Sequence, residues 1–169
     1  MTEITPIQQQ FRNAMASLAA AVNIVTTDGP NGRLGITVSA VCSVTDTPPT
    51  VLVCVNQRSA AHDVFVKNGV IAINVLASDQ AELASHFSGA TKVSMEERFT
   101  WDIWDEAATA APALRDARVV LNGRIHDRVE RGTHSVMFVE IDSIHVRDDV
   151  DGLVYYGRAF HRVGEFNTV

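Results

Sequence analysis

Apolar and polar residues alternate along this chain in two registers, one helical and one of period two, and the second dominates. Near the start, Ile7, Phe11, Met15 and Leu18 fall on one face of a helix over about 6–19, a face that must pack on something apolar. Thr5 suits the N-cap, Pro6 the first helical position, and Gln8 completes a Thr-x-x-Gln capping box. From Val22 the register changes. Val22 to Thr27 is rich in β-branched residues, and Asp28-Gly29-Pro30-Asn31-Gly32 reads as a hairpin turn. Arg33 to Val44 continues as strand until the turn Asp46-Thr47-Pro48-Pro49. Thr50 to Asn56 is nearly all apolar, as in a strand covered on both faces. Ser59 to Lys67 reads as a helix broken by Gly69, and Val70 to Leu76 as a strand. Asp79 and Glu82 form a second capping-box pattern, opening a helix that presents Leu83 and Phe87 to the core.

Gly89 to Pro112 has no sustained period. It reads as a long loop with at most one short helix, in which Trp101 and Trp104 serve as loop anchors or interface residues. Strands then return. Val119, Leu121, Gly123 and Ile125 alternate with Val120, Asn122, Arg124 and His126. Glu130-Arg131-Gly132-Thr133 makes a turn, and Ser135 to Val146 is a long strand whose apolar phase shifts between Phe138 and Val139, the mark of a bulge. Leu153 to Phe160 reads as a final strand. About seven strands on short turns, with two or three helices, predict a mainly β fold: an antiparallel barrel with peripheral helices. One domain over 1–169 is expected, with the helix at about 6–19 and the barrel at about 21–163.

Composition narrows the function classes. The 169 residues are 46% hydrophobic and 20% charged, enough for a core without disulfides or metal. A net charge of −6 argues against a broad nucleic-acid or anionic-membrane surface. Cys42 and Cys54 lie in apolar, strand-like surroundings and read as reduced, buried thiols. No basic stretch leads into an apolar one at the N-terminus, and no apolar run approaches the roughly 20 residues that span a bilayer. The expectation is a cytoplasmic protein.

The usual nucleotide loops are absent, and six scattered histidines make no metal pattern. Two segments carry candidate chemistry. In Gly35-Ile36-Thr37-Val38-Ser39-Ala40, with Ser43 beyond, hydroxyls line one side of a strand while Ile36 and Val38 face the other. That is either an ordinary solvent-facing strand or an edge against which a planar, polar-rimmed ring can lie. In Asn56-Gln57-Arg58-Ser59-Ala60 an apolar strand turns into a helix. Ser59 can cap that helix, whose free amides favour an anion, and Arg58 can grip phosphate; the alternative is a plain cap beside a surface arginine. His134 follows a turn, and Arg158 lies in the aromatic run Tyr155-Tyr156-Gly157-Arg158-Ala159-Phe160; each reads as a ligand contact or as ordinary packing.

Several longer stretches occur in one order: Phe11-Arg12-Asn13-Ala14-Met15-Ala16-Ser17-Leu18, Ala21-Val22-Asn23-Ile24-Val25-Thr26-Thr27, and Ala40-Val41-Cys42-Ser43-Val44-Thr45-Asp46-Thr47-Pro48-Pro49. They continue with Asn74-Val75-Leu76, Met95-Glu96-Glu97-Arg98-Phe99 and Gly132-Thr133-His134. Together they resemble the short-chain flavin reductase family, and within it the reductase components of two-component 4-hydroxyphenylacetate hydroxylases. The likeness runs from about Phe11 to Val163.

The resemblance implies a Greek-key split barrel of the FMN-binding type, built as a homodimer with FAD or FMN near the subunit interface. It implies flavin contacts from Gly35, Thr37, Val38, Ser39, Ala40, Ser43, Val44, Cys54, Val55, Asn56, Ser59 and Ala60, with Ser59 near the phosphate. His86, Phe87, Ser88 and Gly89 match a segment at the flavin's nucleotide end. His134 matches the histidine of a Gly-Asp-His signature near the nicotinamide, although this chain has Thr133 in place of the aspartate. Tyr156, Arg158 and Phe160 match a segment that helps hold the nicotinamide nucleotide. The implied reaction is hydride transfer from NADH, with NADPH left open, to the flavin. His134 would position the nicotinamide rather than act as an obligatory acid or base. Reduced flavin would pass to a separate oxygenase of aromatic catabolism. Rival readings are a tightly flavin-bound reductase of another acceptor, such as the corrin cob(II)yrinic acid diamide, and a non-catalytic flavin-binding protein.

Overall fold

Ser39 and Ala40 carry the chain from one edge of a seven-stranded sheet to the other, and that short passage fixes the architecture. The computed structural model describes residues 4–105 and 111–164. Helix α1 (Pro6–Ala16) and the short strand β1 (Ala20–Ala21) lead into β2 (Asn23–Thr27), β3 (Leu34–Val38), β4 (Val41–Asp46) and β5 (Pro49–Asn56). Helix α2 (Ala60–Asn68), strand β6 (Val70–Val75), helix α3 (Ala81–Phe87) and the one-turn α4 (Met95–Arg98) follow. Strands β7 (Trp104–Asp105) and β8 (Ala113–Leu114) make a small ladder, and β9 (Val119–Arg131) and β10 (His134–Val146) a long hairpin. Strands β11 (Gly152–Tyr156) and β12 (Ala159–Val163) close the described chain.

The main sheet has the order β3-β2-β6-β9-β10-β5-β4, every pair antiparallel. Laid flat, its outer strands would stand about 29 Å apart. Val38 and Val41 are three virtual bonds apart, a reach of at most about 11 Å. The sheet therefore curls until its edges nearly meet. Those edges, β3 and β4, do not pair with each other, so the barrel is split along one seam. The expected antiparallel barrel with peripheral helices is what forms.

Every strand of that sheet contributes to one inner apolar cluster, built on Val25, Val53, Val55, Ile71, Ile73, Met137 and Val139 and closed by Ala61 and Phe65 of α2. A second cluster lies on the outer face, where Ile24, Leu76 and Val120 meet Phe87 of α3 and the aromatic residues of the 95–104 segment. Strand β2 lies between the two clusters and is buried along its whole length. Asn74 ties the outer layer down: its Nδ2 donates to the Ile24 carbonyl (2.9 Å), and its Oδ1 accepts the Leu114 amide (2.7 Å).

The capping box at Thr5 and Gln8 forms as expected, and the β9–β10 register shifts between Phe138 and Val139. Several expectations are corrected. Helix α1 ends at Ala16, capped by Ser17, and its apolar face packs on nothing among the described residues: Ile7 is 70% and Phe11 62% exposed. Arg33 to Val44 is two strands, because the seam interrupts it. Thr50 to Asn56 is covered on one face only, since no β5 residue joins the outer cluster. Asp79 does not cap α3; Gln80 holds that position, its side chain accepting the Ala77 amide and donating to the Asp116 carbonyl. Leu153 to Phe160 is a hairpin, because Gly157 and Arg158 both take positive φ (60° and 65°), as a two-residue turn matched to strand twist requires. Gly89 to Pro112 contains α4 and one side of the β7–β8 ladder; its residues 106–110 lie outside the described residues. Cys42 is exposed and Cys54 half-buried, and both are free.

Gly123 of β9 lies opposite Ile141 of β10. A Cβ there would overlap the Glu140 carbonyl oxygen and crowd Val139. Gly123→Ala is expected to lower stability by about 1–3 kcal/mol, read as an earlier urea midpoint at fixed protein concentration.

Candidate active site at the barrel seam

The seam leaves one side of β3 and one side of β4 without a strand partner. Edge strands present unpaired amides and carbonyls, which must find water or a ligand. Ser39 and Ala40 cross this gap, both exposed, with the Ala40 carbonyl accepting the Cys54 amide at 3.1 Å. Ser43 and Val44 follow on the exposed stretch of β4; the ladder with β5 is irregular between Ser43 and Thr45, which leaves Val44 out of register. Val38 lines the inner cluster, and its carbonyl accepts the Asn23 side-chain amide at 3.2 Å.

Two residues of this segment are occupied internally. Gly35 is buried under α3, where a Cβ would come within 2.8 Å of the Phe87 ring, so the glycine is explained by helix–sheet packing. The Thr37 hydroxyl donates to the Ala84 carbonyl at 2.7 Å. Together they dock α3 on β3, which brings His86, Phe87, Ser88 and Gly89 beside the seam segment. Phe87 itself is a core residue, edge-on to Phe99 and Trp104. His86 stacks edge-on with Trp101 and shares a 2.8 Å hydrogen bond with Thr91. Trp104 donates its indole N–H to the Arg98 carbonyl. Within this chain both tryptophans anchor the 95–104 segment.

On the far side of β4, the strand-to-helix turn and the His134 hairpin come together. His134 stands directly opposite Asn56 in the β5–β10 ladder, although the two are far apart in the chain. The Asn56 side chain accepts the Arg58 amide (2.9 Å), Ser59 Oγ accepts the Ala61 amide (3.3 Å), and Ser59 caps α2. Arg58 and Ala60 are exposed at this helix start, which suits an anion. Val55 points into the core, and burial pushes the half-buried Cys54 thiol up from its ordinary pKa. The Thr133 hydroxyl lies 2.9 Å from His134 Nδ1, so a hydroxyl orients this imidazole where a carboxylate was the family's pattern.

Tyr156, Arg158 and Phe160 are placed elsewhere. They belong to a three-stranded sheet of β1, β11 and β12. Arg158 donates to Asn13 of α1 at 2.7 Å, the Gly157 amide donates to the Ala16 carbonyl, and Phe160 packs on the outer cluster. Nothing among the described contacts joins this sheet to His134. The single chain thus assembles the seam, the Ser59 turn and His134, while the aromatic-arginine segment serves to seat α1.

Three polar residues escaped sequence reasoning. His62 is buried with its Nε2 2.9 Å from Ser135 Oγ, and the Gln57 amide donates to the Thr133 carbonyl at 3.0 Å. Their partners lie more than 70 residues away, so no local spacing could reveal them. Among the described residues no group of three His, Cys, Asp or Glu is placed to hold a metal. No helix among them is long and apolar enough to cross a membrane.

A split barrel whose seam offers free strand edges, next to a capped helix start and an oriented histidine, defines a class of small barrels that can seat a planar ligand with a phosphate tail. The particular family follows from comparison: a model described as the flavin reductase like domain matches residues 15–164, and this chain belongs to that family. It is 50% identical over 163 residues to the reductase component of 4-hydroxyphenylacetate 3-monooxygenase from Pseudomonas aeruginosa, covering 96% of each chain. It is 45% identical to an FMN reductase (NADH), RutF, from Pseudomonas syringae, over 92% of this chain and 86% of that one. The crystal structure of a Haemophilus somnus protein provisionally assigned as a flavin reductase superposes with a TM-score of 0.87 at 43% identity, covering 92% of this chain and 98% of that one.

Because the Thr37 hydroxyl is committed to Ala84, Thr37→Val is expected to cost about 1 kcal/mol of stability. Flavin affinity, measured by fluorescence titration, should change by less than about threefold, roughly 0.7 kcal/mol. A large loss of flavin binding with unchanged stability would assign the hydroxyl to the ligand instead.

Proposed function

We propose that this protein is an NADH-dependent flavin reductase that supplies reduced flavin to a separate 4-hydroxyphenylacetate-type monooxygenase. The observation that carries the reading is the β5–β10 register. It sets His134 opposite Asn56, one turn from the helix start at Ser59, which supports reading the two as neighbouring nicotinamide and phosphate contacts. The likeness to 4-hydroxyphenylacetate 3-monooxygenase reductase components supports the oxygenase type. The FMN reductase (NADH) relatives, at 45–46% identity, support NADH as donor and keep FMN beside FAD as acceptor.

The residues fit a flavin by the chemistry of their donors. Ser39, Ala40, Ser43 and Val44 would face the ring with backbone groups and small side chains; Ser59, Ala60 and Arg58 would receive its phosphate; Ser88 and Gly89 lie toward the nucleotide end. When bound, the flavin supplies the hydride acceptor, and the redox chemistry is its own. The protein's part is to hold the two substrates in register and keep water from between them. His134, oriented by the Thr133 hydroxyl, positions the nicotinamide carboxamide and takes no obligatory proton.

The exposed stripe of Ile7, Phe11, Met15 and Leu18 supports a homodimer. An 11-residue helix is marginal alone, and α1 is fastened through its other side, by Asn13 and Ala16, to the β11–β12 turn. We treat the chain as one domain acting in the cytoplasm; two free cysteines agree with a reducing compartment.

Steady-state NADH oxidation with FAD, FMN and riboflavin in parallel tests the reading. Turnover with added flavin is expected, together with weak copurification. Flavin copurifying at one per subunit, with no turnover of free flavin, would favour a bound prosthetic group serving another acceptor, such as a corrin. No bleaching of flavin by NADH under anaerobic conditions would leave a binding protein. His134→Ala is expected to lower kcat/KM for NADH about tenfold or more while leaving flavin affinity nearly intact. Phe11→Glu should shift the sedimentation coefficient toward the monomer; an unchanged value would place the interface elsewhere.

A further inference from the structure

His62 sits in the first turn of α2 with 8% of its surface exposed. Its backbone amide donates to the Ser59 carbonyl at 3.0 Å, which locks the residue to the turn that caps the helix. Its ring reaches the opposite way. Nε2 lies 2.9 Å from Oγ of Ser135, the fully buried residue that follows His134 in β10. Nδ1 lies 2.9 Å from the Asp63 carboxylate, and this bond holds the Asp63 carboxyl below its usual range. A proton on Nδ1, directed at the Asp63 carboxylate, leaves Nε2 to accept the Ser135 hydroxyl.

Gln57 completes the fastening. Its amide donates to the Thr133 carbonyl at 3.0 Å, and its side-chain nitrogen lies 3.4 Å from Ser135 Oγ. The strand-to-helix turn and the His134 hairpin are therefore joined by a chain running Asp63–His62–Ser135–Gln57. Packing alone gives no reason for it. Ser135 continues the buried row of Met137 and Val139, where an alanine would fit, and a buried hydroxyl costs stability unless it is paired. What the pair supplies is geometry: a satisfied buried network holds one arrangement of the elements it joins.

We propose that His62 is a positioning residue for the reductase reaction, acting through Ser135 to set His134 relative to the Ser59 turn. The proposal rests on the reading of His134 as the residue that positions the nicotinamide. It separates two roles in α2: the helix start receives the phosphate, and the side chain one turn in fixes where the second substrate lies.

The test compares His62→Ala, Ser135→Ala, their double variant and His62→Gln in the full-length protein, with flavin supplied. NADH kinetics, flavin affinity by fluorescence titration and thermal midpoint are measured together. His62→Ala and Ser135→Ala are each expected to lower kcat/KM for NADH about tenfold, chiefly through KM, with flavin affinity changed less than about threefold. The double variant should be no worse than the weaker single one, since both break the same contact. His62→Gln, whose amide reaches as far as Nε2, should recover most of the loss. Should His62→Ala fail to fold, Ser135→Ala and His62→Gln decide the matter alone. Additive losses, a parallel fall in flavin and NADH affinity, or wild-type NADH kinetics in the alanine variants would each overturn the proposal. His134→Ala with unchanged NADH kinetics would sink the reading of His134 as well, whereas a loss there with none at His62 would sink this proposal only.

Discussion

The structure depends on one constraint: two residues, Ser39 and Ala40, must join strands that stand at opposite ends of a seven-stranded sheet. A link so short forces the sheet to close, and closure puts the apolar side chains of alternate positions into a common interior. Closure stays incomplete. Strands β3 and β4 arrive at the seam without pairing, so the barrel keeps two free edges there. Other features of the site are arranged around that gap.

The elements beside the seam are held by different means. Helix α3 is docked on β3 by the absence of a side chain at Gly35 and by the Thr37 hydroxyl, and its Phe87 anchors the aromatic layer outside the barrel. Helix α2 plugs the barrel end through Ala61 and Phe65, which leaves its capped start facing out beside the seam. The β9–β10 hairpin contributes His134 through strand register, and register in a sheet is pinned wherever one face is buried. Inner residues Ser135, Met137 and Val139 fix the phase, so His134 has to face outward. Rigid packing on the inside thus determines which side chains are available on the outside.

Family membership and geometry speak to different questions. The match over residues 15–164 establishes the flavin reductase-like family. The geometry divides the residues that the family pattern marks into groups with different physical duties. Ser39, Ala40 and Ser43 are exposed, as are Asn56, Arg58 and Ala60 of the turn that opens α2. Gly35, Thr37, Val55 and Phe87 are committed to packing or internal hydrogen bonds. Tyr156, Arg158 and Phe160 support the N-terminal helix from a separate sheet. Within one such motif, residues free to meet a ligand stand beside residues committed to packing, and tertiary contacts tell the two apart.

Much of the fold was legible in the chain. The N-terminal capping box, the strand content, the Phe138–Val139 bulge and the barrel class follow from local spacing and from short turns between period-two segments. The errors share a cause. The seam inside Arg33 to Val44, the hairpin inside Leu153 to Phe160 and the half-covered face of β5 depend on what lies across from each residue, and local pattern is blind to that. The candidate segments at Gly35–Ala40 and Asn56–Ala60 could each be read alone as ordinary strand or cap. Their proximity to His134, and the link through His62 and Ser135, exist only because strands far apart in sequence pair in one register. Local side-chain chemistry determined which elements form; long-range pairing of buried faces decided which polar groups meet.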